Sequence, residues 1–193
     1  MSLRAWEKIG KPEIISEQYG KRMFLQRYQN PKTGACEDYF LFGENDYIMV
    51  LPVTQDYEII AVRQYKQGCD GIITELPAGG IEEADATPKD AAMRELLEET
   101  GYSTERDFIS LGNMWAGARS NATRGHLFLA MNCIRTAEPA LDESEEIETV
   151  LFSLGEWIEM IQNNSIESPD SIAATFRALP HLGVSIQFGE IKT

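Results

Sequence analysis

The sequence contains few cysteines and histidines. Three cysteines and two histidines occur among its 193 residues. Cys36, Cys69 and Cys133 are odd in number and far apart, which excludes a disulfide framework and the close pairing of zinc ligands. We therefore expect all three to be buried thiols.

Basic residues and long apolar runs are also scarce. Lys and Arg total 17 against 31 Asp and Glu, which gives a net charge of −14. This excess of negative charge argues against nucleic acids and anionic membranes as the main partners. No stretch approaches the roughly 18 apolar residues of a membrane-spanning helix, and the N-terminus lacks the apolar segment of a signal peptide. We expect a cytoplasmic protein, and a chain this acidic would need metal ions as intermediaries if it handled phosphates.

The middle of the chain predicts an acidic helix over about 88–100. Thr87 before Pro88 is typical of a helix N-terminus, and Gly101 is typical of a C-terminal stop. Residues three and four apart lie on one face, so we expect an apolar stripe made of Ala92, Met93, Leu96, Leu97 and Thr100.

Three glutamates are expected nearly opposite this stripe, on an exposed face. Glu95, Glu98 and Glu99 repel one another, and Arg94 alone does not balance them. A solvated acidic face is the simplest interpretation of such a cluster. Clustered carboxylate oxygens also suit Mg²⁺ or Mn²⁺, because magnesium sites leave coordination positions open for water and substrate phosphates. The helix is therefore a candidate cation site.

Part of this region resembles a known family signature. Gly79-Gly80, followed by the run Arg94-Glu95-Leu96-Leu97-Glu98-Glu99-Thr100-Gly101-Tyr102, is similar to the signature box of the Nudix hydrolases. This resemblance implies an α+β fold, a Nudix-type α/β/α sandwich around a mixed sheet with an N-terminal antiparallel β extension. It also implies Mg²⁺-dependent hydrolysis, with Mn²⁺ as the other suitable ion, of the diphosphate linkage in a nucleoside diphosphate joined to another moiety. The metal ligands that it implies are Glu95, Glu98, Glu99 and Ala78.

The loop ahead of the helix departs from the family pattern by one residue. Counting forward from Gly79 puts Asp85 at the position of the first box glutamate, whereas counting back from Arg94 puts Ala86 there. In the family this glutamate supports the box arginine. We interpret the departure as a one-residue insertion and expect Asp85 to bind the Arg94 guanidinium, since a carboxylate can accept paired hydrogen bonds from arginine.

The likeness extends to the subgroup of ADP-ribose and nucleotide-sugar pyrophosphatases. Arg63-Gln64-Tyr65-Lys66 precedes Glu75-Leu76-Pro77-Ala78-Gly79 in the order that this subgroup shows. Arg63, Lys66 and Glu75 are therefore candidate substrate contacts. Solvated charges or ion pairs would explain the same residues.

A loop over residues 115–123 is expected to border the substrate pocket. Arg119 is a candidate substrate contact, and Trp115 is either a second contact or a packing residue. Members that hydrolyse ADP-ribose usually carry proline before the glycine of this loop, where this chain has Ala116-Gly117. This departure counts against ADP-ribose, and ADP-ribose and nucleotide sugars are both retained as candidate substrates.

A second acidic cluster lies at residues 141–148. A solvated loop explains it, but in the related subgroup an acidic loop here supplies the glutamate that activates water. Glu143 and Glu145 are therefore candidate general bases, because a carboxylate that is not bound to a cation keeps its basicity. Glu98 is the alternative base, on the helix. Together with Arg94, these three are the residues expected to take part in catalysis.

The remaining sequence predicts one main domain with extensions. Strands are predicted over 22–28, 37–42, 46–53, 58–64, 109–114, 126–133 and 149–152, and helices from Ser153 to Ile161 and from Ser168 to about Leu179. The expected segments are 1–45, an N-terminal β segment; 46–180, the Nudix domain; and 181–193, a tail. The resemblance implies that the N-terminal sheet is exchanged with a second subunit in a homodimer. A module that senses nucleotide sugars without cleaving them is the alternative to an enzyme.

Overall fold

The computed structural model describes residues 2–18, 20–142 and 145–184. Within them the strands are β1 (Glu7–Gln18), β2 (Lys21–Gln29), β3 (Cys36–Gly43), β4 (Tyr47–Thr54), β5 (Glu58–Lys66), β6 (Gly71–Glu75), β7 (Ala78–Gly80), β8 (Tyr102–Ser103), β9 (Ile109–Trp115), β10 (Arg124–Arg135) and β11 (Ile147–Ser153). The helices are α1 (Pro88–Thr100), α2 (Leu154–Gln162) and α3 (Pro169–Ala178), and a 3₁₀ helix spans Leu179–Leu182. None of the helices in this described range is long and apolar enough to cross a membrane.

The chain divides into two compact units. The first, called the N-terminal unit, comprises the described residues before Ile48 together with Met114–Gly125. It contains an antiparallel sheet with the order β1-β2-β3. The Phe42 amide donates to the Ser120 carbonyl and the Ala122 amide donates to the Phe42 carbonyl, so the loop after β9 is fixed to this sheet.

The second unit, called the main unit, comprises Ile48–Asn113 and the described residues from His126 onward. Its strands belong to an eight-stranded sheet, in which five strands lie in the order β11-β5-β4-β10-β8. The other three pair with members of this row: β6 with β5, β7 with β4, and β9 with β10. The apolar runs of β4 and β5 are buried, as expected for central strands that are covered on both faces.

Helix α1 covers one face of this sheet. Ala92 and Leu96 belong to the same buried apolar cluster as Ile48 and Val50 of β4. Ile48 and Val50 are two residues apart and share a face of the strand, so the intervening Met49 lies on the other face. Helix α1 therefore forms one layer of the fold, packed on the sheet through apolar side chains.

Helices α2 and α3 pack on the opposite face. The Ser171 hydroxyl of α3 lies 3.7 Å from the Met49 sulfur. Trp157 of α2 is fully buried and donates its indole N–H to Thr175 of α3 at 2.8 Å. Helices on both faces of the sheet confirm the predicted α+β class and its layered arrangement.

Most predicted elements are confirmed, with local differences. The predicted strands correspond to β2–β5 and β9–β11, and the predicted helices to α1, α2 and α3. Strands β1, β6, β7 and β8 were not predicted. In β1 the pairing register shifts between Ile9 and Glu13 and again between Ile14 and Ser16, which interrupts the alternation that marks a strand. The predicted tail, 181–193, lies mostly outside the described residues. The boundaries of the three predicted segments, 1–45, 46–180 and 181–193, stay predictions.

The prediction of three buried thiols is wrong for two of them. Cys133 is buried, and burial raises the pKa of its thiol to about 12, which makes it unreactive. Cys36 and Cys69 are exposed, because Cys36 begins an edge strand and Cys69 lies in the turn between β5 and β6.

Candidate active site

Helix α1 begins and ends where the sequence predicts. The Thr87 hydroxyl accepts a hydrogen bond from the Asp90 amide at 3.3 Å, which caps the N-terminus. Gly101 has a φ of +73° and donates its amide to the Leu97 carbonyl at 2.8 Å. A Cβ at Gly101 would collide with the carbonyl of Ala137, so glycine is required here for close approach as well as for backbone conformation.

The buried face of α1 differs from the predicted apolar stripe. Met93 and Leu97 are exposed, although both were expected to be packed. Glu99, which was expected to be exposed, has only 4% of its surface accessible. The helix contacts β7 as well as the core of the sheet, and this second contact places Glu99 inside.

Arg94 ties α1 to the preceding loop. Its Nε and Nη2 donate to the two carboxylate oxygens of Asp85 at 3.2 and 2.9 Å, which confirms the predicted pairing. Nη2 also donates to the Gly80 carbonyl at 3.0 Å. The hydrogen bonds with Asp85 raise the pKa of Arg94 above its usual value and hold the pKa of Asp85 below its usual value. The extra loop residue is therefore accommodated without loss of support for Arg94.

Arg94 also orients two of the box glutamates. Its Nη1 donates to Glu95 at 2.8 Å and to Glu98 at 3.0 Å. The Glu95 carboxylate lies against Gly79, where a Cβ would overlap it. Only glycine at this position leaves room for the charged group, so any larger residue would displace Glu95.

Glu99 is buried where α1 meets β7. Its Oε2 accepts a hydrogen bond from the Ala78 amide at 3.1 Å. Burial raises the pKa of Glu99 to about 8, and the charge of Glu95 adds to the shift. Burial also raises the pKa of Glu95, an effect that Arg94 opposes. The fold thus holds two carboxylates where their negative charge is unfavourable.

Two predicted substrate contacts lie beside this cluster. The Lys66 ammonium is 3.2 Å from the Glu75 carboxylate, which also accepts from Gln64 at 3.1 Å. The positive charge of Lys66 opposes the rise in the Glu99 pKa. Lys66 and Glu75 therefore belong to the same electrostatic environment as the α1 glutamates.

Arg63 and Arg119, the other predicted substrate contacts, have different neighbours. Arg63 pairs with Glu148 of the adjacent strand β11 at 3.7 Å. Arg119 belongs to the N-terminal unit. There it borders a cavity of about 600 Å³ whose walls include Trp6, Lys8, Tyr28, Tyr39 and Trp115.

One of the two candidate bases in the acidic loop can be described. Glu145 is exposed, and its Oε2 accepts from the Asp142 amide at 3.1 Å. The charge of Glu145 contributes to the raised pKa of both Glu95 and Glu99, so it acts on the α1 cluster through space. Glu143 lies outside the described residues.

The donor groups suit a hard divalent cation. The three α1 glutamates supply carboxylate oxygens, and the neighbouring Arg94 and Lys66 provide fewer positive charges than these glutamates provide negative ones. Among the described residues, no three acidic, histidine or cysteine side chains converge as a ready-made metal cluster. Arg94 instead holds one oxygen each of Glu95 and Glu98. In charge and ligand chemistry the residues nevertheless fit Mg²⁺ or Mn²⁺.

Sequence reasoning missed three residues that position these groups. Gln64 binds Glu75, Gly79 admits Glu95, and Ser171 accepts a hydrogen bond from a backbone amide at the end of β6. The glycine pair at Gly79 was a usable signal, because paired glycines often mark a close approach of backbone. Gln64 and Ser171 carry no local pattern that reveals their contacts.

The buried Glu99 makes stability depend on pH when divalent cations are removed. Its folded-state pKa of about 8 lies above the ordinary value of 4.5 that applies to the unfolded chain. The folded protein keeps a proton that the unfolded protein loses, so this contribution is full below pH 4.5 and is lost as the pH rises toward 8. In EDTA, we expect urea denaturation to show the free energy of unfolding falling by about 1 kcal/mol per pH unit in this window.

Glu99→Gln should flatten this decrease, because glutamine is neutral and its side-chain oxygen can still accept from Ala78. Glu98→Gln is the matched control: it lies on the same helix, and its side chain is 42% exposed, so we expect the wild-type pH dependence. An identical pH slope in wild type and Glu99→Gln would contradict the role of the buried charge.

Comparison with known sequences finds one domain family and several similar proteins. A NUDIX domain profile matches residues 44–173. The methanol dehydrogenase activator of Bacillus methanolicus is 30% identical over 130 residues, which cover 66% of this chain and 68% of that protein. The ADP-ribose pyrophosphatase of Bacillus subtilis (strain 168) is 29% identical, with coverage of 62% and 64%. The ADP-sugar pyrophosphatase of Mus musculus is 42% identical over 107 residues, with coverage of 50% and 49%. The matches thus span about half to two-thirds of the length of these relatives.

The fold is also similar to a solved structure. The crystal structure of an ADP compounds hydrolase superposes with a TM-score of 0.81 and 18% identity, covering 95% of this chain and 97% of that one. At this identity the likeness concerns the fold alone. The domain match covers well over half of the chain and includes the whole of α1 with its preceding loop. The chain therefore belongs to the Nudix hydrolase family.

Proposed function

We propose that this protein is a Mg²⁺- or Mn²⁺-dependent pyrophosphohydrolase that cleaves the diphosphate linkage of a nucleoside diphosphate joined to another moiety. ADP-ribose or a nucleotide sugar is the proposed substrate. The observation that carries the proposal is the carboxylate cluster of α1, with Glu99 buried and Glu95 and Glu98 partly exposed, whose charge Arg94 and Lys66 offset only in part. The names of two relatives, an ADP-ribose pyrophosphatase and an ADP-sugar pyrophosphatase, support the substrate class.

In this proposal the α1 glutamates and the backbone of Ala78 hold the cation. The ion, when bound, neutralises diphosphate oxygens and makes a bound water more acidic. Arg94 keeps Glu95 and Glu98 in place, and Asp85 keeps Arg94 in place. The site is therefore supported by side chains that are themselves fixed by hydrogen bonds.

The basic residues provide the contacts to substrate. Lys66 lies beside the α1 cluster and would exchange its Glu75 partner for a phosphate oxygen. Arg63, which is paired with exposed Glu148, is a weaker candidate for the same role. Arg119 borders a cavity with several aromatic walls, which suits the planar base of a nucleotide.

Hydrolysis requires metal and intact box residues under this proposal. With a coupled phosphatase, we expect phosphate release from at least one member of a panel of ADP-ribose, ADP-glucose and UDP-glucose when Mg²⁺ or Mn²⁺ is added, and none in EDTA. Glu99→Gln should abolish the activity, and Glu95→Gln should reduce it to a smaller extent. Panel members that raise the melting temperature but are never cleaved would favour the alternative, a nucleotide-sugar sensor.

The general base is proposed to lie in the acidic loop. Glu145 is exposed, and its negative charge contributes to the raised pKa of Glu95 and Glu99, which supports its assignment as a base near the cluster. An unbound carboxylate accepts a proton more readily than one that a cation holds. Glu143 is the second candidate in this loop, and Glu98 is the alternative on α1.

Glu145→Gln is expected to lower kcat by roughly 10²–10⁴-fold with unchanged Mn²⁺ affinity, because it removes proton transfer and no ligand. Glu146→Gln, the adjacent exposed acid, is the matched control and should keep wild-type kcat. Glu143→Gln is measured in parallel. If Glu143→Gln and Glu145→Gln both keep near-normal turnover at saturating substrate, while Glu98→Gln loses turnover but still binds metal, the base lies on the helix.

We also propose that the N-terminal sheet forms a homodimer interface. Phe40 and Phe42 are two residues apart on β3, so they share a face of the strand. Phe40 is 59% exposed and Phe42 is 50% exposed. Tyr39 and Leu41 lie on the other face and border the cavity. An exposed pair of phenylalanines on a sheet face is typical of an interaction surface.

Phe40→Glu should convert a dimer to a monomer, as measured by light scattering after size exclusion, because it places a charge in the proposed interface. Phe176→Glu on α3 is the matched control, since Phe176 is 61% exposed but belongs to the main unit. A wild-type monomer, or equal masses for the two variants, would contradict this interface.

A further inference from the structure

A short segment, residues 75–78, connects β6 to β7 and carries one proposed ligand of the candidate cation site and one candidate substrate contact beside it. At one end the Glu75 side chain contacts Lys66 at 3.2 Å. At the other end the Ala78 amide donates to the Glu99 carboxylate at 3.1 Å. A displacement of this segment would therefore move two groups of the site together.

The middle of the segment is held by helix α3. The Leu76 amide donates to the Ser171 hydroxyl at 3.0 Å, and both residues are fully buried. Ser171 lies 95 residues further along the chain, so this hydrogen bond is a long-range constraint. The Ser171 hydroxyl is itself 3.1 Å from the Ser168 hydroxyl at the N-terminus of α3. Without Ser171 the Leu76 amide would be buried and unpaired, which is costly.

We propose that Ser171 is a positioning residue for the cation site, which acts by fixing the backbone of segment 75–78 against α1. This inference rests on the proposed function, because it assumes that Glu99 and the Ala78 backbone hold a cation. Groups that orient metal ligands typically change metal affinity by about 10–100-fold when they are removed. Ser171 contacts none of the proposed ligands directly and would act on them through the backbone between Leu76 and Ala78.

Helix α3 provides a matched control one turn away. The Thr175 hydroxyl accepts from the buried Trp157 indole at 2.8 Å. The Thr175 hydroxyl also donates to the Ser171 carbonyl at 2.7 Å, a contact within α3 that does not involve the Ser171 hydroxyl. Thr175→Val leaves one buried N–H group unpaired, as Ser171→Ala does, but that group belongs to α2 rather than to segment 75–78. The two variants should lose comparable stability and differ in their effect on the cation site.

Mn²⁺ binding in the absence of substrate, measured by electron paramagnetic resonance, separates the two roles. We expect Ser171→Ala to raise the Mn²⁺ dissociation constant about 10-fold or more, and Thr175→Val to change it less than about two-fold. Ser171→Cys keeps the shape but is a weaker acceptor, so its affinity should lie between those of wild type and Ser171→Ala.

Equal Mn²⁺ affinity in Ser171→Ala and Thr175→Val would overturn the positioning role and leave the proposed function intact. If the wild-type protein binds no Mn²⁺, the proposed function fails and the positioning role fails with it. If Ser171→Ala does not fold, Ser171→Cys decides the question, because wild-type affinity in that variant would overturn the inference.

Discussion

Burial of the Glu99 carboxylate between α1 and β7 is the constraint on which the site depends. A buried carboxylate without full compensation opposes folding, and the same burial raises the pKa of Glu99. The Ala78 amide and the charge of Lys66 offset part of it. A divalent cation would offset the rest, so the feature that destabilises the isolated fold is also the feature that favours metal binding.

The groups around Glu99 are held by contacts that cross between elements. Asp85 fixes Arg94, Arg94 fixes Glu95 and Glu98, and Gly79 leaves the space that Glu95 occupies. On the other side of the sheet α3 reaches the same region through a buried hydroxyl. The site is thus supported by α1 on one face of the sheet and by α3 on the other. Such support matters for a metal site with few protein ligands, because each ligand must be held in place.

Local patterns were sufficient to predict α1 and its two ends, because capping depends on nearby residues. The Asp85–Arg94 pair was predicted from the resemblance to the family's box, in which a carboxylate supports the arginine. The local patterns placed Glu99 on the exposed face. That error arose because periodicity locates one apolar face, and a polar contact with a second strand, here at Ala78, leaves no trace in hydrophobicity. The bulged strand β1 was missed for a related reason, since its alternation is interrupted. Ser171 could not be found from sequence, because its partner is a backbone amide, whose hydrogen bonding does not depend on side-chain identity.

The dependence of thermal unfolding on Mg²⁺ tests most directly whether the α1 carboxylates hold a cation. An ion that binds the folded but not the unfolded protein raises Tm progressively with its concentration. We predict such a rise for the wild-type protein and none for Glu99→Gln over the same concentrations. An equal rise in both proteins would contradict the account.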